Sequence, residues 1–233
     1  MFAKVGGFLQ RLRRDETEGC ASCSFFAQEG EDAVLAGLID PEWNRKGFFV
    51  DVGAHHPTRF SNTWMFYQAG WRGINIDPTP GSMVPFRELR SEDVNLEVAI
   101  SREAAVRKFY CYNEPALNGI DNDRREELKD THYKLERILD IETLPLSEIL
   151  KRHRERFVSP SFLTIDVEGL EVEVLSSVDL QKYSFDFILV EQMLPDLMAL
   201  GKSDVWKYVT ERGYKAVACT GRTVFYQRTG DVA

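Results

Sequence analysis

Phe48-Phe49-Val50-Asp51-Val52-Gly53-Ala54-His55-His56-Pro57 opens the part of the chain that decides the fold, and Trp71-Arg72-Gly73-Ile74-Asn75-Ile76-Asp77 completes it. The first run is short, continuous and aromatic or β-branched apart from Asp51, which suits a strand covered on both faces. Gly53 and Ala54 allow a sharp turn and a close backbone approach to a ligand. The second run repeats the strand pattern, and an acid stands at the end of each. Asp77 falls where an α/β nucleotide-binding unit places the carboxylate that grips ribose hydroxyls. Together they predict a strand–turn–helix–strand unit that holds a nucleoside-type cofactor.

The same alternation continues on both sides. Upstream, Gln28-Glu29-Gly30-Glu31-Asp32 leads into a helix stopped by Pro41, with acids where a helix N-terminus favours them. Ser61-Asn62-Thr63 is an N-cap signal for an aromatic helix carrying Trp64, Phe66 and Tyr67. Met83 to Arg90 reads as a helix with Phe86 and Leu89 inward, Val94 to Ile100 as a third strand and Ala105 to Tyr112 as another. Asn113 to Lys134 is polar and weakly periodic, the candidate insertion or lid. Arg137 to Thr143 reads as a strand, Leu146 to His153 as a helix, and Phe162 to Ile165 as a buried strand ending at Asp166-Val167-Glu168-Gly169. A helix with Leu170, Val174, Leu175 and Val178 on one side follows. Then come a strand over Phe185 to Val190, ending at Glu191-Gln192, and a helix over Val205 to Arg212 capped by Gly213. Tyr214 to Ala218 and Thr223 to Gln227 form a hairpin around Gly221. The pattern predicts an α/β fold: a doubly wound, mostly parallel Rossmann-like sheet with a C-terminal antiparallel hairpin.

A chain of 233 residues suits one domain, here 25–233, preceded by a separate segment 1–24. A net charge of −8 argues against a nucleic-acid partner, which needs a broad basic surface. No run of eighteen apolar residues occurs, so no transmembrane helix is expected. Phe2, Val5, Phe8, Leu9 and Leu12 fall at helical spacing among Lys4, Arg11, Arg13 and Arg14. Residues 1–14 therefore read as a short helix packed on the domain or a frayed terminus, with weak peripheral membrane contact as the rival reading. The apolar part is too interrupted for a signal peptide, and a cytoplasmic protein is expected. Cys20 and Cys23 have the spacing of half a zinc site, but Cys111 and Cys219 are isolated, so free thiols are expected.

Ligands of doubly wound sheets sit outside the carboxyl ends of the strands. The inferred strand ends carry Asp51, Asp77, Asp166 and Glu191, with His55, His56 and Glu168 just beyond. One such acid is often only a helix cap, but four converge on one rim. His55 occupies the second-glycine position of G-x-G-x-x-G, which disfavours NAD and FAD. No G-x-x-x-x-G-K-[ST] appears, which argues against a nucleoside triphosphate. One glycine, an acid on the next strand and many carboxylates suit S-adenosylmethionine, cationic at sulfur and free of phosphate.

Six segments resemble, in order, the FkbM-type methyltransferases. They are Gln28-Glu29-Gly30-Glu31-Asp32, Phe49 to Pro57, Phe60-Ser61-Asn62-Thr63, Gly70 to Pro78, Ala116-Leu117-Asn118 and Ile165 to Glu171. The resemblance implies a class I methyltransferase fold and an S-adenosylmethionine-dependent O-methyltransferase acting on a saccharide or sugar-bearing small molecule. A non-sugar acceptor, or a cofactor-binding scaffold without catalysis, are the rivals. It also implies Asp51, Gly53 and Ala54 beneath the methionine part and Asp77, followed by Pro78, at the ribose. Ala99, Ile100 and Ser101 would flank the adenine, and Asn62 and Thr63 would hold the methionine carboxylate. A sugar hydroxyl becomes a good nucleophile once a general base or a metal helps remove its proton. His56 and His55 are base candidates because histidine titrates near neutrality, alongside Asp166 and Glu168. Asp166, Glu191 and Gln192 are similar to the Mg²⁺ site of catechol-type O-methyltransferases, with Glu168 as a further ligand or a helix-cap acid.

Overall fold

Every residue of β1 (Phe48–Val52) is buried, as a run of aromatic and β-branched side chains requires of a strand covered on both faces. The computed structural model describes residues 13–14, 21–22, 24–39, 46–194 and 196–230. A two-residue ladder pairs Arg13–Arg14 with Ala21–Ser22. The rest of the expected amphipathic segment, with Cys20 and Cys23, lies outside the described residues.

The first half of the chain forms α1 (Glu31–Ile39), β1, α2 (Trp64–Gln68), β2 (Arg72–Ile76), α3 (Met83–Leu89) and β3 (Val94–Leu96). Four short or antiparallel strands follow, β4 (Ala99–Ile100), β5 (Ala105–Tyr112), β6 (Gly119–Ile120) and β7 (Leu135–Leu144), with α4 (Arg125–Leu128) before the last. The remainder is α5 (Leu146–Arg152), β8 (Ser161–Ile165), α6 (Glu171–Ser176), β9 (Phe187–Glu191), α7 (Asp204–Thr210), β10 (Tyr214–Cys219) and β11 (Thr223–Arg228).

The main sheet has the order β10-β11-β9-β8-β1-β2-β3. β9, β8, β1, β2 and β3 run parallel, and β11 and β10 close the edge antiparallel. This is the doubly wound sheet with its C-terminal hairpin. Phe48, Val50 and Val52 pack with Ile74, Leu163 and Ile188 against α5, α6 and α7. Phe49, Phe162 and Leu189 face the other way, toward α1 and α2. The chain builds outward from β1 to β3 and then returns to start again at β8, so the switch point lies between β1 and β8. No helix among the described residues is long and apolar enough to cross a membrane.

Two expectations need correction. Val94 to Ile100 is not one strand: β3 ends at Leu96, and Ala99–Ile100 leaves the main sheet to pair with β7. There it joins a second, four-stranded sheet of order β4-β7-β5-β6. Ala99, Phe109, Cys111 and Ile120 form its covered face, while Val106 and Ile138 are exposed, as befits a mostly antiparallel sheet with one wet side. Leu89 is not inward either. It is exposed, because α3 ends there and the fully buried Arg90 takes the inward place.

Candidate active site

Gly53 joins the two halves of the sheet. Its φ is +86°, and a Cβ there would sit 1.7 Å from the carbonyl oxygen of Asp166, so no other residue fits without moving a strand tip. The N–H groups of Gly53 and Ala54 both donate to the Ile76 carbonyl, at 2.9 and 3.0 Å, and the Asp166 N–H donates to the Val52 carbonyl at 3.0 Å. The tips of β8, β1 and β2 are thereby tied together at the switch point. Above them opens a cavity of about 280 Å³. Of the expected site residues, Gly53, His55, Asn62, Asp77, Pro78, Ile100, Asp166, Glu168 and Glu191 line it.

Asp77 is fixed with capacity to spare. One carboxylate oxygen accepts from the His55 N–H at 3.0 Å and the other from the Thr79 N–H at 2.8 Å. Each oxygen keeps a lone pair for a ligand hydroxyl. Beside it, Asn118 donates to the Thr79 hydroxyl at 3.3 Å and accepts from the Tyr112 N–H at 2.8 Å. That fastens the segment after β5 next to Asp77, where Ile100, Phe109, Leu117 and Ile120 provide an apolar wall. The second sheet, absent from the sequence reading, is therefore part of the site.

At the other side of the Gly53 turn, one carboxylate oxygen each from Asp166, Glu168 and Glu191 lie within 4.8 Å of one another. Asp166 meets the open space of the cavity but is crowded by protein on its other sides. Burial, the charge and hydrogen bond of Glu191, and the charge of Glu168 push its carboxyl well above the usual range. Glu168 is raised too, by burial and by Glu191, against the pull of Arg124, whose Nη1 lies 3.0 Å away. Its backbone is left-handed, φ +56°, a conformation that a non-glycine residue keeps only under local constraint.

Several expected residues stand elsewhere. Asp51 points away from the cavity, accepts from the Thr63 hydroxyl at 2.8 Å, and is buried near Arg90. Thr63 is fully buried, and its hydroxyl also accepts from Arg90 at 3.0 Å, so it has nothing to offer a methionine carboxylate; Asn62 lines the cavity alone. Ala54 packs against Met83 and Phe86. Ala99 belongs to the core of the second sheet, and the Ser101 hydroxyl donates to Glu173 at 2.6 Å, leaving Ile100 to face the cavity. Gln192 does not line the cavity. Its amide nitrogen donates to the Tyr226 hydroxyl at 2.8 Å and its oxygen accepts from the Ser203 hydroxyl at 2.7 Å, so Glu168 takes its place in the acid cluster.

The two histidines also separate. His56 Nδ1 accepts from the N–H groups of Thr58 and Arg59, at 3.2 and 3.0 Å, so its ring caps its own turn and does not line the cavity. His55 lines the cavity, but its Nε2 lies 2.8 Å from Arg59 Nη2. Arginine can only donate, so Nε2 accepts and the proton rests on Nδ1. Burial and then Arg59 lower both rings' affinity for a second proton.

Gln28, Glu29, Glu31, Phe60, Arg222 and Thr223 also line the cavity, none of them given a role at the site by the sequence. The acids between 28 and 32 carry a signal that also fits a helix start; Arg222, in a hairpin turn, carries none.

Residues 51–216 match the family model of the methyltransferase FkbM domain. Among curated proteins no match is found. Solved structures that match include the precorrin-6y C5,15-methyltransferase of Geobacter metallireducens GS-15, 13% identical over 89% of this chain and 94% of that one, with a TM-score of 0.42. The family match begins at the strand that carries Asp51 and takes in the Gly53 turn, Asp77 and the acids of the cavity floor. The chain belongs to the FkbM methyltransferase family.

Proposed function

We propose that the chain moves the methyl group of S-adenosylmethionine onto a hydroxyl of a saccharide or sugar-bearing small molecule. The observation that carries this reading is the pairing of Asp77 and Asp166 across the Gly53 turn in one cavity. One is an immobilised acceptor with free lone pairs, and the other is a carboxylate of raised basicity.

The residues present fit the donor. Asp77 takes the ribose hydroxyls, the wall of Ile100, Phe109, Leu117 and Ile120 takes the purine, and the acids favour a sulfonium. When bound, S-adenosylmethionine supplies an electrophilic methyl carbon. Asp166 would accept the proton of the acceptor hydroxyl as its oxygen takes up that methyl group, sulfur keeping the electron pair of the bond it loses. The products are a methyl ether, S-adenosylhomocysteine and protonated Asp166. Because the displacement is in line, the rigid turn that fixes Asp77 relative to Asp166 supplies much of the rate through positioning.

The acid cluster supports a second reading, with Mg²⁺ held by Asp166, Glu168 and Glu191. Carboxylate oxygens are the donors Mg²⁺ prefers, and these three residues would hold it and let it polarise the acceptor hydroxyl. Arg124 already pairs with Glu168, which favours the base over the metal.

Calorimetry with S-adenosylmethionine, S-adenosylhomocysteine and NAD tests the donor: the first two bind and NAD does not. Radiolabelled methyl then passes to a glycan panel as an alkali-stable ether, and EDTA leaves the rate unchanged. Tight binding of NAD alone would end the reading. Loss of activity in EDTA restored by Mg²⁺ would move it to the metal.

A further inference from the structure

Gln28-Glu29-Gly30-Glu31-Asp32 has no part in the reaction just described and lies before the matched domain. Its acids are taken up in anchoring. Glu29 accepts from the Arg222 N–H at 2.9 Å and pairs with Arg222 Nε at 3.2 Å. Glu31 accepts from the Thr220 hydroxyl and from the Glu29 N–H, each at 2.8 Å. Asp32 accepts from the Phe26 N–H at 2.8 Å and the Ala33 N–H at 2.9 Å. The segment before α1 is thus fastened to the β10–β11 turn, beside the tip of β9 and across the sheet from Asp77. The Ser61 N–H donates to the Phe26 carbonyl at 3.1 Å, which lays Phe60 against the same segment.

Two side chains of this wall have no evident use in folding. Gln28 is exposed to the cavity, and its amide makes no hydrogen bond to another described residue. Phe60 stays 48% exposed although its backbone is left-handed, φ +56°. Arg59 lies against the ring, 4.9 Å from its centroid. A bulky residue held in that conformation without burial is strain that packing does not reward, which points to a ligand.

We propose that Gln28 and Phe60 are the acceptor-reading wall, and that they take a pyranose-type ring. The amide offers both donors and an acceptor to neighbouring hydroxyls on the ring edge. The negative face of the phenyl ring attracts the C–H face of the sugar. Glu29 and Glu31 act as positioning residues that hold the wall in place. This rests on the reading of the site as a hydroxyl methyltransferase.

Saturation-transfer NMR with a panel of methyl pyranosides, in the presence of S-adenosylhomocysteine, tests it. Wild-type protein binds at least one member. Gln28→Ala and Phe60→Gly each weaken that binding about tenfold or more, while affinity for S-adenosylhomocysteine stays within about twofold. Phe60→Gly also raises Tm, because glycine accepts the left-handed backbone without strain. A Phe60 that merely packed would lower Tm and leave sugar affinity alone. If no pyranoside binds, or both variants bind as wild type does, the wall is overturned while the donor reading stands. If wild-type protein fails to bind S-adenosylhomocysteine, the reaction falls and the wall with it.

Discussion

Asp51 and Asp166 end neighbouring parallel strands, with Asp51 opposite Thr164 in register, yet their surroundings differ in kind. Asp51 turns to the face of Phe49 and meets the Thr63 hydroxyl and the charge of Arg90. Arg90 in turn pairs with Asp93 at 3.0 Å, both side chains fully buried, among the rings of Phe49, Tyr67 and Phe86. Asp166 turns to the cavity, where its charged neighbours are more carboxylates. Both are raised by burial, but one has a resident cation and hydroxyl and the other has an open space. An acid with its partners built in is a strut; an acid without them is available for chemistry.

The largest test of that contrast is Asp166→Asn. With Asp166 as the proposed proton acceptor, its loss lowers kcat by about 10²–10⁴-fold. S-adenosylhomocysteine affinity stays within about threefold, and thermal stability holds or rises because a poorly compensated charge is gone. Equal losses in turnover and cofactor affinity would instead make Asp166 a strut. Arg90→Met is the mirror experiment. It strands Asp51 and Asp93 without their cation, and urea unfolding registers a loss of about 3–5 kcal/mol. At a temperature where the variant is folded, its turnover falls far less than that of Asp166→Asn. A destabilisation under about 1 kcal/mol would show that the buried network does not support the turn.

The same contrast marks where sequence reading ran out. The strands of the main sheet were legible because Phe48 to Val52 and Phe162 to Ile165 are continuous apolar runs, and position along the chain fixes which tip carries Asp77, Asp166 or Glu191. Which way an acid turns at that tip was not legible. Asp51 and Val52 differ by one position and face opposite sides of the sheet, so a single residue decides between network and cavity. Arg90 looked like the end of a helix, since nothing local says that a charged residue will be fully buried between two aspartates. The second sheet was missed as a unit because its strands read as more of the same sheet; only the break between Leu96 and Ala99 separates them. Similarity to a catechol-type metal site puts Gln192 beside Glu191 as a ligand, but nothing local shows that Tyr226 and Ser203, distant in sequence, claim its amide.

A pH series sharpens the comparison further. Burial pushes the Asp51 carboxyl up to about 6 against the opposing pull of Arg90 and Thr63. The folded state therefore holds this proton more tightly than the unfolded chain. The stability it contributes is fully present below the unfolded value of 3.8 and is lost as pH rises through about 6, a span of about 3 kcal/mol. Other buried carboxyls titrate nearby, so the quantity to measure is the difference between wild type and Asp51→Asn in urea midpoints from pH 4 to pH 7.5. That difference moves against the wild type as pH rises. A difference independent of pH would mean that the strut keeps its charge throughout.

The smallest effect belongs to the histidines, which repeat the contrast at one remove. His55 lines the cavity, whereas His56 gives its Nδ1 to the N–H groups of Thr58 and Arg59. An asparagine oxygen supplies the same acceptor from nearly the same distance along the side chain, so His56→Asn preserves the turn and keeps turnover within about threefold of wild type. His56→Ala removes the acceptor and lowers stability by about 1 kcal/mol, the usual size of a lost cap. Steady-state rates on the same acceptor, with urea midpoints alongside, separate the two. Were His56→Asn as silent as Asp166→Asn, the proton would have to leave through the turn, and the carboxylates of the cavity floor would be left to hold a cation.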